Sequence, residues 1–146
     1  MSTSVQNVCT LQSVQNAAAR LVTGTRHSDR ISPVLRQLHW LPVRQRVDFK
    51  VAALVHQSLS GISPSYLVDD CRLVADARER RLRSTVSRTC VVTRTHSTFG
   101  DRAFAAAGPG LWNSLPSQLK DADLSYSEFR RSLKTFLFGQ WGHGAV

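Results

Sequence analysis

The sequence has few of the features that mark secreted or membrane-spanning proteins. Its three cysteines, Cys9, Cys71 and Cys90, are widely spaced, which gives no disulfide framework and is typical of a reducing compartment. No stretch approaches the roughly 18 consecutive apolar residues of a membrane helix, and residues 1–10 lack the basic and apolar segments of a signal peptide. We therefore expect an intracellular protein without a membrane span, in either the nucleus or the cytoplasm.

Patterns that indicate catalysis or metal binding are also scarce. Structural zinc sites normally contain a close ligand pair such as Cys-x-x-Cys, and the sequence has none. Residues 66–70 are similar to the Tyr-x-Asp-Asp motif of polymerase palms, but they contain one residue too many and follow a Ser-Pro helix start. Neither a Gly-x-Ser-x-Gly elbow nor a phosphate loop is present. We predict no metal, no cofactor and no independent catalysis.

Acidic residues and lysines are few. The 146 residues, about one domain in length, contain 19 Lys and Arg against 10 Asp and Glu, a formal net charge of +9, and 16 of the cations are arginines. A guanidinium binds phosphate oxygens in pairs, which an ammonium does less well. Such an excess indicates a polyanionic partner, such as a nucleic acid, or an anionic surface.

The positive charge is unevenly spread along the chain. Residues 71–100 contain seven arginines and two acids, which is more than half of the net charge in about a fifth of the sequence. The candidate phosphate contacts in this stretch are Arg78, Arg80, Arg81, Arg83 and Arg88. A solvated loop kept basic for solubility explains the same run equally well, and a nuclear-import signal is a weaker alternative.

Apolar periodicity predicts a mainly α-helical chain with a small β element. We expect a helical region over residues 7–70, a basic connector over 71–88, and a β-hairpin plus C-terminal helix over 89–139. The hairpin would pair residues 89–95 with residues 102–107. The first helix would place an apolar stripe in the core and end at Gly24; its stripe consists of Val8, Leu11, Val14, Ala18, Leu21 and Val22.

Helix boundaries are predicted by capping residues. Ser32-Pro33, Pro42 and Ser63-Pro64 would begin the second, third and fourth helices, and Gly61 would end the third. A capping box of Ser125 and Glu128 would begin the last helix, which would end at Gly139. The apolar face of this helix consists of Tyr126, Phe129, Leu133, Phe136 and Leu137. Trp40 and Trp112 have apolar neighbours, which favours core anchoring over stacking on bases.

Six segments together carry a resemblance to one family. They are LQSVQNAAARLVTG (residues 11–24), LRQLHWLPVRQR (35–46), LSGISPSYL (59–67), FGDRAF (99–104), GPGLWNSLP (108–116) and FRRSLKTFL (129–137). In order and spacing this part of the chain resembles the thumb and post-palm region of reverse transcriptases from non-LTR, LINE-like retrotransposons of the jockey type. The resemblance covers residues 11–138, and the segments are specific only in combination.

The resemblance implies a piece of a retroelement polyprotein whose palm carboxylates and endonuclease lie in other segments. It therefore does not bring polymerase activity to this chain. It implies a role in contacting the backbone of a template-primer duplex, with Arg20 and Arg36 as phosphate contacts on the thumb and Arg80, Arg81 and Arg83 on the connector.

Our leading hypothesis is a non-catalytic, reverse-transcriptase-derived fragment that binds RNA or DNA backbone without sequence preference. The alternatives are a structural or interaction module, which associates with other parts of a retroelement polyprotein or with itself through exposed apolar faces, and an inert relic.

Overall fold

The computed structural model describes residues 3–77 and 88–143, and these residues are mainly α-helical, as predicted. The helices are α1 (Thr3–Thr23), α2 (Ile31–Gln37), α3 (Val43–Leu59), α4 (Ser65–Asp70), α5 (Val74–Ala77), α6 (Phe104–Ser114) and α7 (Tyr126–His143). Short 3₁₀ turns occupy Gly100–Arg102 and Ser117–Lys120. Among the described helices, none is both long and apolar enough to cross a membrane.

The chain divides into two units. The terminal unit comprises Met1–Val47 and Lys134–Val146, and the central unit comprises Asp48–Leu133. Helices α3 and α7 contribute residues to both units. The terminal unit is therefore built from both ends of the sequence, whereas the central unit is one continuous segment.

Two predicted helix ends are confirmed by backbone conformation. Gly24 follows α1 with a φ of 68°, and Gly61 lies just beyond α3 with a φ of 70°. Glycine adopts this left-handed conformation without the Cβ clash that other residues suffer, so it can end a helix. The predicted first residues of the helices agree less well with the structure. Arg30, not Ser32, is the N-cap residue of α2, and Pro64 is that of α4.

The core of the terminal unit lies between α1 and α2. Ala19, Val34 and Leu35 are buried, and the partly buried residues Ile31, Leu38, Trp40 and Trp141 pack against them. The predicted core face of α1 is wrong. Leu11, Val14, Leu21 and Val22 are exposed, and the buried residues of α1 are Gln15 and Ala19.

Side-chain hydrogen bonds explain why a polar face of α1 is buried. The Gln15 side-chain amide donates to the carbonyl of Leu41 at 2.8 Å, and the Val43 N–H donates to Oε1 of Gln12, also at 2.8 Å. Nε2 of Gln12 donates to the Oε1 of Gln15 at 3.0 Å, which joins the two contacts. The Val43 N–H belongs to the first turn of α3 and has no partner within that helix, so Gln12 satisfies it.

The core of the central unit is aromatic. Trp112, Phe129, Leu133 and Val55 are fully buried, which confirms Trp112 as a core anchor. The predicted capping box is present. The Ser125 N–H donates to Oε2 of Glu128 at 3.1 Å, and the Glu128 N–H donates to Oγ of Ser125 at 3.3 Å. The predicted apolar face of α7 is also confirmed, because Phe129, Leu133 and Leu137 are buried.

The predicted β-hairpin is wrong. Residues 104–107 form the first turns of α6, and an isolated antiparallel bridge joins Leu73 to Cys90 instead. Gly108 and Pro109 look like helix breakers, yet both are buried within α6. A Cβ added at Gly108 would lie 3.1 Å from the Val55 side chain, so glycine allows close packing here. Burial of α6 outweighs the weak local preference of these residues.

The predicted end of α7 at Gly139 is also wrong. The helix continues to His143. Trp141 packs on the core of the terminal unit, and the guanidinium carbon of Arg36 lies 5.5 Å from the centroid of its ring. This aromatic contact offsets part of the helix propensity that is lost at Gly139 and Gly142, about 1 kcal/mol for each glycine.

Candidate nucleic-acid interface

The two units differ strongly in charge. The terminal unit contains seven Lys and Arg residues and one acidic residue, Asp29, a net charge of +6. The central unit contains twelve basic and nine acidic residues, a net charge of +3, although it includes the arginine run at 78–83. The folded chain therefore has most of its net positive charge in the terminal unit, which differs from the distribution along the sequence.

Arg20 lies in the last turn of α1 and is half-buried. Its Nη2 lies 3.5 Å from the backbone oxygen of Asp29, which is long for a hydrogen bond. Its Nε is buried and, within the described residues, has no hydrogen-bond partner. The described residues therefore satisfy the hydrogen-bonding capacity of this guanidinium only weakly.

Arg36, at the end of α2, is exposed and belongs to the same unit as Arg20. One face of its guanidinium is held by Trp141. Its Nη2 also lies 2.5 Å from where a Cβ at Gly142 would be, so any larger residue there would displace it. The side chain is thus positioned in advance, which lowers the entropy lost when a guanidinium binds phosphate.

Arg88 belongs to the central unit. Its backbone oxygen accepts a hydrogen bond from Nε1 of Trp112 at 2.7 Å. Burial and, to a lesser extent, the positive charge of Arg88 lower the pKa of His56. The structure thus places Arg20 and Arg36 in one unit and Arg88 in the other. The remaining predicted contacts, Arg78, Arg80, Arg81 and Arg83, lie outside the described residues.

Four exposed arginines of the terminal unit were not among the predicted contacts. Arg26 lies between α1 and α2, and Arg30 is the N-cap residue of α2. Arg44 and Arg46 lie in the first turn of α3, which contains no acidic residue. The positive end of the helix dipole repels these two cations, and a bound anion would relieve that repulsion. The sequence feature that could have identified these four arginines is the scarcity of acidic residues before residue 48.

The central unit contains the groups closest to acid–base or nucleophilic chemistry, and burial makes them unreactive. Burial and the charge of Arg88 lower the pKa of His56, against a hydrogen bond to the Leu124 backbone. Burial raises the pKa of Cys71, and that of Cys90 to about 12. These thiols therefore stay protonated and are poor nucleophiles.

A cleft of about 470 Å³ in the central unit has a mixed lining. The lining residues are Ser58, Leu59, Val68, Asp69, Cys71, Arg72, Leu73 and Asp76. Its carboxylates, from Asp69 and Asp76, are both exposed. Within residues 3–77 and 88–143, no group of three or more His, Cys, Asp or Glu side chains is arranged to hold a metal ion.

A scan against models of protein families, a search of curated proteins and a search of solved structures find no match to this chain.

Proposed function

We propose that the chain is a non-catalytic module that binds the phosphate backbone of RNA or DNA, and that it derives from the thumb and post-palm region of a LINE-like reverse transcriptase. The observation that carries the binding proposal is the terminal unit, with a net charge of +6 and a single acidic residue. This excess of arginine over acidic residues favours phosphates as the partners of the unit.

The contacts proposed for this unit come from three places in the sequence. Arg20 and Arg36 border the packed α1–α2 pair, Arg26 and Arg30 lie on or beside the connecting loop, and Arg44 and Arg46 begin α3. Binding of this kind depends on counterion release and carries no base readout. The burial of Trp112 is consistent with binding without base readout, because this side chain is unable to stack on a base.

A salt-dependent titration with matched variants tests the proposal. Fluorescence anisotropy would follow the binding of labelled RNA, DNA duplex and RNA–DNA hybrid between about 50 and 200 mM salt. We expect all three to bind, with affinity falling steeply as salt rises. No binding to any of them at the lowest salt would contradict the proposal.

Two quadruple variants that each remove four positive charges locate the contacts. One changes Arg26, Arg30, Arg44 and Arg46 to Gln, and the other changes Arg78, Arg80, Arg81 and Arg83 to Gln. If the terminal unit provides the interface, the first variant reduces the slope of log K against log salt by about three, and the second reduces it much less. Equal losses in both variants would mean that total charge, not the terminal unit, determines binding.

The retroelement origin has its own test. Because the resemblance covers a post-palm region, a truncated element should have coding sequence for a palm with paired metal-binding carboxylates immediately upstream in the genome. Sequencing of the upstream DNA would detect it. A flank without any palm-coding sequence, intact or decayed, would count against a truncated element and favour a retained host gene.

A further inference from the structure

Helix α1 has, besides its buried polar face, an apolar face that is uncovered. Leu11, Val14 and Leu21 are 57%, 62% and 85% exposed, although their spacing is that of a buried stripe. Exposed side chains this large are normally scattered singly, whereas these line up along one helix. We propose that this face is the interface of an antiparallel homodimer, in which α1 of one copy packs against α1 of another.

The spacing of the face matches a helix–helix seam. Leu11, Val14, Ala18 and Leu21 follow one another at intervals of three, four and three residues, which is the a/d pattern of a coiled coil over two heptads. The polar residues Gln12 and Gln15 lie outside this seam and are already engaged with residues 41–43. One surface of α1 thus holds the terminal unit together, and the other is available to a partner helix.

The seam is complementary to itself in the antiparallel sense. When residue i of one copy faces residue 32 − i of the other, Leu11 faces Leu21 of the second copy and Val14 faces its Ala18. Each pair occurs twice, once on either side of the two-fold axis near Asn16, as a closed symmetric dimer requires. The central pair places a larger side chain against a smaller one, which lets two backbones approach.

Charge selects both the partner and the orientation. Residues 1–19 contain no Asp, Glu, Lys, Arg or His, so the seam offers no attraction to nucleic acid or to a charged protein surface. Arg20 is the first charged residue and is followed by Arg26 and Arg30. A parallel pair would place the two Arg20 side chains next to each other. The antiparallel pair separates them by eight residues along the axis, about 12 Å, and also opposes the two helix dipoles.

Sedimentation of the full chain over a range of concentrations, with matched variants, tests the dimer. We expect a concentration-dependent dimer that Leu21→Glu and Leu11→Glu each abolish. At a concentration where the wild type is monomeric, the helical circular dichroism and the melt of both variants should match those of the wild type, since both side chains are exposed. Ile62→Glu is the control, because Ile62 is 70% exposed but lies outside α1. A wild-type chain that stays monomeric, or a dimer lost only in Ile62→Glu, would overturn the proposal.

Cross-linking tests the orientation. In a Cys9→Ser background, Leu11→Cys and Leu21→Cys chains are oxidised separately and as a mixture. The proposal predicts a disulfide-linked dimer in the mixture and none in either chain alone, because the two Leu11 positions are about 15 Å apart along the axis. Linked dimers in each chain alone would mean a parallel pair and would overturn it. A monomer that instead binds phosphatidylserine vesicles in a Leu21-dependent way would assign the face to lipid and also overturn it.

Discussion

The imidazole of His56 stacks on the ring of Phe129, with their centroids 4.3 Å apart and their planes inclined by 19°. Trp112 and Tyr126 lie within 6.3 Å and 5.8 Å of the same imidazole. The Nδ1 atom of His56 is buried and, among the described residues, has no hydrogen-bond partner. His56 thus acts as a neutral aromatic ring in the core, and its protonation would place an unpaired charge there.

We expect acid to destabilise the central unit through His56. Because burial and Arg88 lower its pKa in the folded chain, the unfolded chain takes up the proton first as pH falls below about 6.5. The stabilisation is complete above that pH and is lost below it. Urea unfolding at pH 7.5 and 5.5 should show this loss in the wild type and a much smaller one in His56→Leu. His27→Gln, a change at an exposed histidine, is the control and should keep the wild-type pH dependence.

The three thiols should differ sharply in reactivity. Cys9 is exposed, whereas Cys71 and Cys90 are buried, and burial together with the nearby Cys71 raises the pKa of Cys90 to about 12. A disulfide reagent at pH 8 should therefore titrate one thiol rapidly and the other two only after unfolding. Cys9→Ser should remove the rapid phase. A rapid phase that persists in Cys9→Ser would show that the core opens more readily than its burial indicates.

The Asn113 side chain holds the segment at Cys90 in place. Its Nδ2 donates to the Cys90 carbonyl at 2.9 Å, and its Oδ1 accepts from the Cys90 N–H at 2.8 Å. Asn113→Asp keeps the acceptor but cannot donate, so a buried carbonyl faces a carboxylate. We expect a loss of about 1–3 kcal/mol in unfolding free energy. Ser114→Ala, an exposed neighbour on α6, should change it by less than about 0.5 kcal/mol.

Substitutions on the polar face of α1 should lower the free energy of unfolding more than substitutions on its apolar face, which is the reverse of what the apolar pattern of the sequence predicts. Gln15→Leu removes the donor to Leu41 and leaves buried polar groups unsatisfied, which costs about 1–3 kcal/mol. Leu21→Gln changes an exposed side chain and should cost less than about 0.5 kcal/mol at a concentration where the chain is monomeric. Urea unfolding of both variants at low concentration measures the difference. A larger loss for Leu21→Gln would mean that Leu21 belongs to the core.

Local signals predicted much of the fold. Glycines in left-handed conformation, the Ser125–Glu128 capping box and the apolar face of α7 depend on neighbours within a few residues, so the sequence contains them directly. The prediction of a β-hairpin was wrong because it relied on the local preference of β-branched residues for strands. The packing of Gly108 against Val55, which favours a helix there, joins residues more than fifty positions apart. The predicted end of α7 at Gly139 was wrong for the same reason, since Trp141 packs against residues near the other end of the chain.

The candidate interface was predicted only in part. Arg20 and Arg36 were identified from the resemblance, whereas Arg26, Arg30, Arg44 and Arg46 were not. The net charge of consecutive segments is highest at residues 71–100. In the fold, this segment belongs to a unit that also contains most of the acidic residues, whereas residues 134–143 belong to the same unit as the first 47 residues. The division of the fold into two units therefore determines which part of the chain has the larger net positive charge. No periodic pattern in the sequence indicates this division.

The terminal unit takes residues from both ends of the sequence, and this fixes the order in which a ribosome can complete the fold. Helices α1 and α2 are synthesised first, but Trp141, which packs against their shared core, is added more than a hundred residues after Gln37. The central unit is continuous and can finish folding while the earlier helices wait. During that interval the core between α1 and α2 lacks the cover of Trp141, so the nascent chain exposes apolar surface to aggregation until its last helix is made.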